Sequence, residues 1–211
     1  SVTGVQTCAL PIFSTPSISQ NTTGELTIPD VVNGYRVTEI SMRAFNGCSN
    51  LTSVSIPSSV TAIGFHSFYA CSSLISLVIP NSVTSIDVGA FDKTAWFDNQ
   101  PDGLFYAGYV AYKYKGTMPK NTHIDIKEGT VGIAARAFIS CTDMTSVTIP
   151  SSVTTIGYEA FSGCNSLTTV TIPNSVTKIG DSAFSYCSDL TSVTIPNSVT
   201  TIGAAAFYYC I

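Results

Sequence analysis

The stretch LTTVTIPNSVTKIGDSAFSYC, Leu167 to Cys187, is followed two residues later by LTSVTIPNSVTTIGAAAFYYC, Leu190 to Cys210. Taken alone, the Ser, Asp and Cys of the first copy look like the makings of a reactive loop. Placed beside the second copy they become positions in a period. The dipeptide Ile-Pro marks that period at Ile28-Pro29, Ile56-Pro57, Ile79-Pro80, Ile149-Pro150, Ile172-Pro173 and Ile195-Pro196, and Ile126-Lys127 is a degenerate copy. Most steps are 23 residues. The step from Ile28 to Ile56 is longer by about five residues around Asn33–Val37, and a 24-residue insert lies between Ile79 and Ile126. Self-similarity at such a period signals stacked supersecondary units, none of which buries its apolar face alone.

Within one copy, Leu167, Val170 and Ile172 alternate with Thr169 and Thr171. That is the period-2 pattern of a β-strand with one buried face. Pro173 removes a backbone donor and Asn174-Ser175 supplies turn chemistry, so the strand ends there. Val176 and Ile179 bring the chain back to the core as a second short extended segment. Ala183-Phe184 are expected in a single helical or 3₁₀ turn, too short to stand alone. The position after this second segment holds Ser41, Gly64, Asp87, Ala134, Gly157, Gly180 and Gly203. A turn that prefers Gly without requiring it fits this variation.

The block LTSVTIPNSVTTIG (Leu190–Gly203), the Ala-Phe pairs at 44–45, 90–91, 137–138, 160–161, 183–184 and 206–207, the variant Ser67-Phe68 and the trailing Cys resemble the BspA-like leucine-rich repeat family. The resemblance covers about residues 25–211. It implies a curved leucine-rich-repeat solenoid of about seven repeats, with a parallel β-sheet on its concave side and short extended segments and turns elsewhere. It also implies an extracellular or cell-surface protein that adheres to or binds a partner.

Residues 2–12, VTGVQTCALPI, match the translation of a common sequencing adapter at every position. Residues 1–24 are therefore expected to be a non-native, disordered lead-in, Cys8 included, and residues 25–211 a single solenoid with an insert at about 95–120. The chain is expected to be a piece of a longer protein.

Composition narrows the function. Charged residues are only 10% of the chain against 45% hydrophobic, which excludes a disordered, highly charged segment. A net charge of −4, with nine Lys and Arg thinly spread, argues against a nucleic-acid surface or a polybasic membrane patch. No apolar run reaches the length of a membrane span, so no membrane insertion is expected. The outward strand positions, Ser53 and Ser55, Ser76 and Val78, Ser146 and Thr148, Thr169 and Thr171, Ser192 and Thr194, form a nearly uncharged hydroxyl strip. It reads either as a hydrogen-bonding platform or as β-compatible surface filler.

Cys48, Cys71, Cys141, Cys164, Cys187 and Cys210 share one repeat position, which Thr94 fills in the remaining copy. Stacking at the ~4.8 Å strand spacing makes them a ladder of buried thiols, with partial cross-linking and metal binding as alternatives. No cofactor is expected. His66 reads as a solvent-facing turn residue. His123 and Asp125 flank Ile124 and should both point outward, but no activated nucleophile accompanies them, so no catalysis is expected.

The insert holds Trp96, Phe97, Tyr106, Tyr109, Tyr112 and Tyr114, and the pattern around Phe105–Gly116 predicts a hairpin turning near Ala107-Gly108. Alternation places Phe105 and Tyr106 on opposite faces, and Tyr112 with Tyr114 opposite Lys113. These aromatics, with His123 and Asp125, are the expected partner-binding residues, the alternative for the aromatics being that one face of the hairpin packs on the solenoid. The expected function is a non-catalytic, monomeric module binding a protein or a glycan. A structural spacer or accessory domain in a larger secreted protein or enzyme is the alternative.

Overall fold

The computed structural model describes residues 5–7, as backbone, and residues 23–210. The chain divides within the insert into two compact units, Ser1–Gln100 and Pro101–Ile211. Apart from residues 5–7, Thr23 and Gly24, the expected lead-in, with Cys8, lies outside the described residues.

The first unit contains β1 (Val5–Thr7), β2 (Gly24–Thr27), β3 (Val31–Val32), β4 (Tyr35–Ile40), β5 (Leu51–Ser55), β6 (Ala62–Ile63), β7 (Ser76–Val78), β8 (Ser85–Ile86) and the one-turn α1 (Ala95–Asp98). β2, β5 and β7 pair in parallel as one sheet, and β4, β6 and β8 as another. The extra residues after Ile28 form a hairpin, β3 on β4, turning at Asn33-Gly34 with both residues at positive φ. β1 runs antiparallel to β4, against the parallel sense of the coils.

The second unit contains β9 (Gly103–Ala107), β10 (Val110–Lys115), β11 (Thr122–Asp125), β12 (Gly132–Ile133), β13 (Met144–Thr148), β14 (Thr155–Ile156), β15 (Thr169–Thr171), β16 (Lys178–Ile179), β17 (Ser192–Thr194) and β18 (Thr201–Ile202). One sheet runs β11-β13-β15-β17; the other runs β10-β12-β14-β16-β18, with β9 antiparallel on β10. Each coil of this β-solenoid thus contributes one strand to each sheet. Thr169, Val170 and Thr171 pair with Ser192, Val193 and Thr194, residues 23 positions on.

The Ala-Phe segments are successive i→i−3 turns rather than helix. Ala183 N–H donates to Gly180, Ser185 to Ser182 and Cys187 to Phe184. Two residues in each segment take left-handed φ, at Arg136 and Ser140, Ser182 and Tyr186, and their equivalents. The recurrent Gly is not among them. A Cβ on Gly157 would lie 2.6 Å from the backbone N of Ala135, and one on Gly180 2.6 Å from the carbonyl carbon of Gly157. Gly serves close approach between coils there, not positive φ.

The recurring polar residues also join coils. Ser82, Ser152 and Ser175 hydroxyls donate to the carbonyls of Val60, Thr130 and Val153 in the preceding coil at 2.6–2.8 Å. The cores are ladders. Phe138, Phe161, Phe184 and Phe207 stack at 5.0–5.3 Å with near-parallel rings. Phe45, Phe68 and Phe91 stack in the first unit at 4.9 and 5.8 Å.

Candidate functional site

The cysteine rungs prove to be structural. All six described cysteines are free, and five are buried. The thiols of Cys71, Cys164, Cys187 and Cys210 each donate to the carbonyl of the Phe in the preceding coil at 3.0–3.2 Å. Burial pushes the thiols of Cys141 and Cys187 up to about 12, so they stay protonated and unreactive. Among the described residues no group of three or more His, Cys, Asp or Glu is arranged to hold a metal.

The insert is more deeply woven into the fold than its composition suggests. Thr94, standing in the cysteine position, donates to Phe91 O at 2.7 Å and accepts from Phe97 N–H, capping α1. Phe97 is buried behind it. Trp96 is half-buried, its ring edge-on to Phe91 at 5.1 Å, so it closes the first unit's Phe ladder.

The predicted hairpin forms, with Ala107 opposite Val110 across Gly108-Tyr109. Its alternation breaks at a bulge between Ala111 and Lys113. The extra residue lets Ala111 and Tyr112 both turn inward, and Tyr112 becomes one of the largest buried side chains.

Tyr106 has a specific structural partner. Every other copy has Pro after Ile, with no N–H to satisfy; Lys127 restores that N–H, and the Tyr106 hydroxyl accepts it at 2.9 Å. Burial raises the Tyr106 phenol, and also that of Tyr114, which lies near Cys141 and Asp102. Of the insert's six candidate aromatics, Tyr109 alone is exposed.

His123 and Asp125 point outward from β11, as their alternation requires. Their register partners on β13 are Ser146 and Thr148. His123 Nδ1 lies 2.6 Å from Ser146 Oγ; Nε2 lies 3.0 Å from Asp125 Oδ1 and 3.1 Å from Thr148 Oγ1. A carboxylate only accepts, so Nε2–H donates to Asp125, and in the tautomer protonated at Nε2 alone Nδ1 accepts from the Ser146 hydroxyl. Hydrogen bonds from His123 and then Thr148 hold the Asp125 carboxyl below its ordinary range.

This Asp–His–Ser order resembles a hydrolase relay, but its surroundings do not. Both ends are open to solvent, with Asp125 79% exposed. β13 is an interior strand paired to β11 and β15, so its N–H groups belong to the ladder rather than to an oxyanion hole. The arrangement is a fixed polar anchor at the edge of a hydroxyl surface continued by Thr169, Thr171, Ser192 and Thr194, all exposed.

A family model described as the BspA type leucine rich repeat region matches the chain in six copies, over residues 13–99 and 111–211. The chain belongs to this family. The match leaves out residues 1–12 and residues 100–110, the latter in the insert, where the BspA-type period breaks. A leucine-rich repeat protein from Bacteroides ovatus is 30% identical over 85% of this chain, with a TM-score of 0.39. The chain spans 47% of that protein's length. The Treponema pallidum leucine rich repeat protein is 29% identical, covering 88% of this chain and 76% of its own, with a TM-score of 0.39. A leucine rich cell surface protein from Faecalibacterium prausnitzii is 21% identical, covering 90% and 86%, with a TM-score of 0.43. No curated protein matches the chain.

Sequence reasoning missed the aromatic cluster around His66. His66, expected to face solvent, is half-buried and stacked between Phe65 and Tyr69 at 3.8 and 4.4 Å. Arg43 lies over Phe65 and Lys93 over Tyr69. The signal was the run FHSFY (Phe65–Tyr69), which puts three rings on adjoining turn positions.

Proposed function

We propose that this BspA-type chain is a non-catalytic binding module of a cell-surface or secreted protein, holding a protein or glycan on the exposed face of the β11-β13-β15-β17 sheet. The observation that carries this reading is the His123–Asp125–Ser146–Thr148 network. Four side chains are fixed by mutual hydrogen bonds on a face that folding does not need to fix, beside hydroxyls free to exchange water for a ligand's polar groups. Tyr109 is the insert residue that adds exposed aromatic surface. A surface or secreted setting is what membership of the family implies. No helix among the described residues is long and apolar enough to cross a membrane.

A spacer role is the second reading, favoured by the uniformity of the Ser and Thr strip away from His123. Binding of the purified chain to a glycan array and to a panel of matrix and mucin proteins separates the two. A ligand retained by the wild type and lost in Thr171→Lys and Asp125→Asn, with Tm unchanged, is the expected result. Retention that ignores both substitutions rules out this face, and the absence of any ligand leaves the spacer.

A further inference from the structure

The turn residue one before each Cys, or before Thr94 in its place, is left-handed in every described coil. It is Gly47, Ala70, Lys93, Ser140 and Gly163, then Tyr186 and Tyr209, with φ between 56° and 75°. Small residues suit that conformation, and a bulky aromatic there is an outlier whose strain the surroundings must hold. The fold does not ask for one, since Gly fills the position twice.

Nor do these rings contribute buried surface: Tyr186 is 53% exposed and Tyr209 55%. They are nonetheless ordered against each other, stacked at 5.4 Å and 12°. Tyr208, also exposed, stands edge-on to both, at 5.7 and 4.5 Å. Tyr186 belongs to an inner coil, so its exposure is not an effect of the last one. In the coil before it the same position is Gly163, so that rung has no side chain to cover the ring.

The flanking groups are polar. The Asn165 amide nitrogen lies 2.7 Å from Tyr186 O and 3.1 Å from Gly163 O in the orientation its hydrogen bonds require. Ser162 and Ser185 pair their hydroxyls at 2.9 Å. Glu159 is engaged with Arg136 and Tyr158, and Asp181 with the Ala204 N–H. Asp189, exposed and bonded through its N–H to Asn165 O at 3.1 Å, brings a carboxylate beside this group, and residues 190–210 contain no charged side chain.

We propose that Tyr186, Tyr208 and Tyr209 form a shelf for a neutral saccharide on the turn side of the second unit, distinct from the His123 face. Aromatic faces meet the C–H face of a sugar ring, and neighbouring amide and hydroxyl groups meet its hydroxyls. A single carboxylate, Asp189, accepts from the hydroxyls of a neutral sugar and repels an anionic ligand. Left-handed tyrosine is a cost that the fold alone would remove by substituting Gly.

The test follows the tyrosine ring resonances by NMR during titration with methyl glucosides, methyl galactosides and N-acetylglucosamine into the high millimolar range. A saturable shift of Tyr186 and Tyr209 with at least one sugar is expected. That shift should weaken at least tenfold in Tyr186→Gly/Tyr209→Gly, whose Tm equals or exceeds that of the wild type. Silent rings with every sugar overturn the proposal. So does a Tm lowered by the glycines, which would make the rings stability elements. A shift produced by a proline-rich peptide and by no sugar assigns the shelf to a protein and equally overturns it.

Discussion

The two units use one period with different discipline. In the second unit the Phe rings stack within 6° of parallel at 5.0–5.3 Å. In the first they tilt by 10° and 19°, and one pair opens to 5.8 Å. The first unit also carries the hairpin after Ile28, Ser67 in place of Ala, and Thr94 in place of Cys. The turn surfaces differ as well. Arg136 over Tyr158 is matched by Arg43 over Phe65, but the following residue is Glu159, ion-paired to Arg136, in one unit and the stacked His66 in the other. Regular repetition gives tight ladders, and each local exception is met by a local device.

The strongest way to break this comparison is to remove a ring. Phe161→Ala should cost about 4 kcal/mol, from lost burial and the cavity left behind. Phe68→Ala, in the looser ladder, should cost about 1 kcal/mol less. Equal shifts in denaturant midpoint would mean that ring geometry does not separate the units.

Next comes coil spacing. Gly180→Ala should cost about 2 kcal/mol, because its Cβ meets backbone that cannot move aside. Ala134 shows that a Cβ is accommodated where the preceding rung is Ala111 of β10. A Gly180→Ala protein as stable as the wild type in urea would refute close approach as the reason for Gly.

Ser67 offers a gain. Its hydroxyl is buried without a hydrogen-bond partner, and the equivalent position is Ala in the other six copies. Ser67→Ala should stabilise by about 1 kcal/mol. A lower Tm would show that the hydroxyl is satisfied after all.

The smallest effect concerns pH. Burial, and then the neighbouring Asp87, raise the Glu39 carboxyl above its ordinary value. A raised folded value favours the protonated form, so this stability is full below the unfolded value and is lost as pH rises through the folded one. Glu39→Gln should therefore stabilise at pH 7 by a few tenths of a kcal/mol, a gain that disappears near pH 3. The same gain at both pH values would exclude titration as its source.

The coil was legible because the period is written in single residues: alternation sets the strands, Ile-Pro ends them, and Ala-Phe-x-x-Cys fills the ladders. The candidate site was only partly legible. His123 and Asp125 were placed outward by strand alternation, a local rule. The aromatics of the insert resisted the same rule, because a single bulge at Ala111–Lys113 turns Tyr112 into core. Tyr106 was named only as a partner-binding candidate because its structural partner, the N–H released where Lys127 replaces Pro, lies 21 residues away.

The sequence by itself determined the repeat, its strands, the thiol ladder and the family, because each depends on residue spacing within one coil or on the recurrence of that spacing. Only the tertiary structure decided why Gly follows Ile, which insert aromatics reach solvent, that Ser146 and Thr148 brace His123, and that Tyr186 stacks on Tyr209. Those depend on what the next coil places a few ångströms away, a distance that a one-dimensional period does not carry.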